Sequence, residues 1–60
     1  MYIVQVITKK GVQFIHELTQ TTVSFTDNWA NAQHFHLNDL LPTTDLEERI
    51  GCQVMGYEGV

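Results

Sequence analysis

Sixty residues with seven acidic side chains, three basic ones and 43% hydrophobic content describe one small domain of net charge −4. Three Lys/Arg residues cannot build the phosphate-neutralising footprint of a nucleic-acid binder, so no direct nucleic-acid partner is expected. No apolar run approaches the roughly 20 residues that cross a bilayer, and Cys52, the single cysteine, excludes an intramolecular disulfide and a multi-cysteine zinc site.

A chain this short buries only about 60% of the surface its unfolded form exposes. With no disulfide or metal staple in view, oligomerisation or a bound partner is the remaining way to supplement the core. The lone thiol and the lack of a signal-like start point to a cytoplasmic protein.

Tyr2 to Thr8 is rich in β-branched and aromatic residues and reads as a strand that is apolar on both sides. Lys9, Lys10 and Gly11 supply a three-residue hairpin loop. Val12 to Leu18 is the second strand, with Val12, Phe14, His16 and Leu18 on one face and Gln13, Ile15 and Glu17 on the other. A turn over Thr19 to Thr22 lacks Gly, Pro, Asn and Asp; it is inferred from the new strand at Val23, the alternative being one long bent strand from Val12 to Phe25.

The period changes after Val23 to Thr26. Thr26 or Asp27 can cap a helix, and Trp29, Ala32 and Phe35 then fall three apart on one face, giving a helix that ends near His36. Leu40, Leu41 and Pro42 lead into a second, shorter helix. Thr44 and Glu47 have capping-box spacing, Leu46 and Ile50 form an i, i+4 pair, and Gly51 stands at the C-cap. Cys52 to Tyr57 is the last strand, with Cys52 and Val54 on one side and Gln53, Met55 and Tyr57 on the other.

The expected fold is therefore α+β: a small antiparallel sheet of three to four strands with one main helix and one short helix packed on one face, in the order β-β-β-α-α-β, filling residues 1–60 as a single domain. If Tyr2, Val4, Val6, Phe14, Val23 or Phe25, and Val54 meet the helices, then Ile3, Ile7, Ile15, Met55 and Tyr57 form an apolar patch on the opposite face. A patch of that kind marks a protein interface.

Other chemistry has weaker support. His34 and His36 lie about 200° apart on a helix and could share a metal only in an extended chain, so no metal and no cofactor is expected. Cys52 reads as a small buried hydrophobe rather than a nucleophile, and no enzyme activity is expected. The glycines are dispersed and make no phosphate loop. Asp45, Glu47 and Glu48 read as a solvated helix start; the functional alternative is an acidic patch that mimics nucleic acid.

The order Tyr2 to Ile7, Lys10-Gly11, Phe14-Ile15, Val23, Phe25-Thr26-Asp27, Ala32, Phe35, Ile50-Gly51 and Val54 resembles small accessory proteins of tailed phages and prophages of Gram-positive bacteria. Pro42, Thr43 and Thr44 depart from the Glu- and Ala-rich helix start of those proteins. The resemblance implies an accessory protein acting in the host cytoplasm by binding a host or phage protein, such as an inhibitor of a defence system; the apolar sheet face, independently, points to a non-enzymatic interaction module, a homodimer or a binder of a host protein. The resemblance carries over no functional residue.

Overall fold

A computed structural model describes all 60 residues. Four strands, β1 (Tyr2–Thr8), β2 (Gly11–Leu18), β3 (Val23–Thr26) and β4 (Gln53–Gly59), form one antiparallel sheet in the spatial order β3-β2-β1-β4. One helix, α1 (Thr43–Ile50), and two 3-10 turns, Trp29–Asn31 and Leu37–Asp39, complete an α+β fold. The first and last strands are neighbours at the centre and edge of the sheet.

Polar side chains make the turns. At the first hairpin Thr8 pairs with Gly11, so the loop is the two residues Lys9 and Lys10 rather than three. Gly11 takes the positive φ of 104° that the reversal needs, and the Thr8 hydroxyl accepts the Lys10 N–H. Between β2 and β3 the Thr19 hydroxyl accepts the N–H groups of Thr21 and Thr22. Threonine thus supplies the turn chemistry that Gly or Asn would give elsewhere, and the long bent strand is not formed. Arg49 at the end of α1 donates to the Thr19 carbonyl at 2.7 Å, tying this turn to the helix.

Cross-strand partners share a face, so the register sorts the side chains. The pairs Val6–Gln13, Ile15–Phe25 and Val6–Val54 place Val4, Val6, Gln13, Ile15, Phe25 and Val54 on the inner face, toward α1. There Val4, Val6, Ile15 and Val54 pack with Phe35, Leu46 and Ile50 into the core. Ile15 is fully buried, which corrects its expected place on the opposite face.

Two bulges shift the alternation. Around His16 the pairing of β2 with β3 slips by one, so Leu18 returns to the inner side three residues after Ile15. Met55 is the extra residue where β4 passes from Val54 opposite Val6 to Gly56 opposite Gln5. Tyr57 therefore lies on the face of Val54, and its hydroxyl sits 3.2 Å from that of Thr43 at the start of α1.

The helix expected between Trp29 and His36 is instead one 3-10 turn followed by extended chain. The backbone of this segment is used by the sheet. β1 and β2 pair from Gln5–Phe14 to Thr8–Gly11; beyond that they part, and residues 33–35 fill the gap. Gln33 donates its N–H to the Ile15 carbonyl, Phe35 exchanges both backbone bonds with Tyr2, and the Gln33 side-chain oxygen accepts the Leu18 N–H. An isolated two-turn helix is marginal in water, so these sheet bonds win.

α1 starts without the expected capping box. Pro42 is its N-cap residue with no side-chain bond, and Glu47 turns away to accept the Val54 N–H at 2.8 Å. Its end is as expected: Gly51 is left-handed at φ 76° and donates to the Glu47 carbonyl.

Candidate functional site

The outer face of the sheet, away from α1, carries Ile3, Gln5 and Ile7 from β1, Val12 and Phe14 from β2, and Glu58 from β4, by the same register. Above it stands Trp29. Thr26 holds the Asn28 N–H, and the Asn28 side chain caps the 3-10 turn by accepting from Ala30, which holds the backbone that carries the indole. Trp29 then lines an open groove of about 410 Å³ with Ile3, Phe14, Glu58, Gly59 and Val60.

Ile3 is 1% exposed and forms the floor of this groove; Trp29 is 60% exposed and forms a wall. The two aromatics expected to lie together on one helix face are thus on opposite sides of the sheet, Phe35 in the core and Trp29 outside it. The residues proposed from sequence as one patch are dispersed. Ile7, Met55 and Tyr57 are exposed, Ile3 is buried beneath the groove, and Ile15 belongs to the core. The alternation in the sequence did not show Trp29, Phe14 and Glu58 as neighbours, because Glu58 arrives only when β4 pairs with β1 and Trp29 only when the chain beyond β3 folds over β2.

The inner face carries its own polar chain at the hairpin end. Gln13, 7% exposed, accepts from the Thr8 hydroxyl at 2.7 Å and donates to the Asp27 carboxylate at 2.6 Å. Every polar atom of a buried amide needs a partner, and here Thr8 and Asp27 provide them. Asp27 thus anchors β3 to β2 instead of capping a helix.

The acidic residues do not converge. Asp45 and Glu48 are exposed on one side of α1, whereas the Glu47 carboxylate is engaged by the Val54 N–H. His34 and His36 flank Phe35 in extended chain and are both exposed, but no three His, Cys, Asp or Glu side chains lie close enough together to hold a metal ion. No helix is long and apolar enough to cross a membrane.

Cys52 is half-buried, and burial first, then the negative charge of Glu47, push its thiol above the ordinary value. That is the reverse of an activated nucleophile, whose thiolate is favoured by nearby positive charge. The open depression beside it is lined by Thr44, Glu47, Glu48, Gly51 and Gln53, without a histidine. Because the protonated form is held to higher pH, alkylation of Cys52 at neutral pH should be slower than that of a free thiol. The rate should rise only above the pH at which an ordinary thiol ionises, and Glu47→Gln should move the profile back down. An iodoacetamide rate profile checks this; a fast reaction at neutral pH would show an activated thiol.

Comparison with known protein families, with curated proteins and with solved structures gave no match. The residues of this chain alone carry the functional argument.

Proposed function

We propose that the protein is a non-enzymatic protein-interaction module that works through the outer face of its sheet, with Trp29 as the anchor. The observation that supports this reading is an indole 60% exposed, held by a capped turn over an apolar floor. Trp is enriched among the few residues that carry most of the binding energy of a protein interface, and an ordered turn lowers the ordering cost. Ile7 and Val12, paired with each other and both exposed, extend the apolar surface along the same face.

The resemblance to phage accessory proteins would make the partner a host protein and the action inhibitory. Self-association is the other use of such a face in a small domain. Nucleic-acid mimicry has less support, since the Glu47 carboxylate is committed to β4 and Arg49 stands beside Asp45 and Glu48.

Trp29→Ala tests the proposal. Trp29 lies outside the core cluster, so the variant should keep the far-UV circular dichroism of the parent. Proteins retained by the immobilised parent from a host lysate should be lost, or, where the partner is a second copy, the mass by light scattering should fall to that of a monomer. Unchanged capture and unchanged mass would overturn the assignment of this face.

A further inference from the structure

Among the side chains that line the groove beside Trp29, one is charged, Glu58. Glu58 faces the same side as Ile3, its cross-strand partner, and its carboxylate receives a single long bond of 3.5 Å from the Gln5 side chain. None of the chain's three basic side chains answers it. Lys9 and Lys10 form the turn at the far end of β1, about 17 Å along the strand from Ile3 at the usual rise per residue. Arg49 is bonded to the Thr19 carbonyl. The groove therefore presents an indole, an apolar floor and an unneutralised carboxylate together, on a chain whose net charge is −4.

We infer that this groove binds an arginine side chain of a partner protein. The aliphatic stem lies on Ile3 and Phe14, the planar guanidinium stacks against Trp29, and its N–H groups meet Glu58. Arginine fits better than lysine because its flat, weakly hydrated head can stack on an aromatic ring and donate two parallel bonds to a carboxylate. A cation over an indole adds to what the apolar contact supplies. This inference rests on the reading of the outer face as the interaction surface and adds the chemistry of what it takes.

Trp29 is the only tryptophan, so its emission reports the groove directly. The probes are two capped peptides, acetyl-Gly-Leu-Arg-Leu-Gly-amide and the same peptide with citrulline, which has a similar shape without the charge. The arginine peptide should change Trp29 emission saturably, with the citrulline peptide weaker by about fivefold or more. Glu58→Gln should reduce the arginine peptide to the level of the citrulline peptide, and added salt should weaken binding to the parent.

Equal binding of the two peptides, or an arginine peptide indifferent to Glu58→Gln, would overturn the arginine assignment and leave the groove as an apolar docking site. No emission change with either peptide would overturn it as well. The lysate comparison with Trp29→Ala then decides separately whether the face binds a protein at all.

Discussion

Phe35→Ala is expected to cost about 3–5 kcal/mol of folding stability, whereas Trp29→Ala should cost less than about 1 kcal/mol. The contrast follows from where the two rings sit. Phe35 is 8% exposed within the cluster of Val4, Val6, Ile15, Leu46, Ile50 and Val54, and its backbone bonds to Tyr2 hold it there. Removing it opens a cavity between sheet and helix that neither can readily fill. Trp29 has solvent over more than half its surface and loses only its contact with the groove. A domain of 60 residues has roughly 3–9 kcal/mol in total, so the loss at Phe35 removes a large fraction of it. Urea denaturation followed by circular dichroism separates the two; equal losses would place Trp29 in the core.

Charge substitutions on β1 and β2 should diverge as sharply. Ile15→Lys is expected to prevent folding, because the position is fully enclosed and an unpaired ammonium there has no partner. The milder Ile15→Ala should cost about 2–5 kcal/mol. Ile7→Lys, by contrast, lies on the outer face at 41% exposure and should leave stability within about 1 kcal/mol of the parent. Thermal melts of the three variants check this. A folded, cooperative Ile15→Lys protein would return Ile15 to the outer face.

These contrasts also show which features a single sequence makes legible. The strand over Tyr2–Thr8 and the helix ending at Gly51 follow from local properties, β-branching in one case and an i, i+4 apolar pair before a left-handed glycine in the other. The facing of β2 did not follow, because Gln13 made its inner side look polar. That glutamine is buried only by virtue of Thr8 and Asp27, and Asp27 is 14 residues away. The bulge at His16 broke the alternation at a point without a Gly or Pro to mark it, and at Met55 the one local mark was the following Gly56.

The span from Trp29 to Phe35 shows the limit most clearly. Its three-residue spacing fits a helix, yet the bonds that decide its conformation come from Ile15, Leu18 and Tyr2. The outer sheet face was legible in kind, as an apolar surface, and not in membership. Ile3 and Ile7 do lie there; Ile15 does not, and Trp29, Phe14 and Glu58 join only once the strands are assembled.

The pairing of β1 with β4 bears on how the chain reaches this state. Only the hairpins β1–β2 and β2–β3 can form from neighbours in sequence; the other side of β1 is completed by residues more than 45 positions away. Closing so long a loop carries an entropic cost before any contact rewards it, and topologies rich in distant contacts fold slowly for their size. The three-stranded stage leaves Val4 and Val6 without Val54, Leu46 and Ile50. Cooperativity should thus be concentrated in a late step, the docking of α1 and β4 as one unit joined by the Glu47 carboxylate and the Val54 N–H.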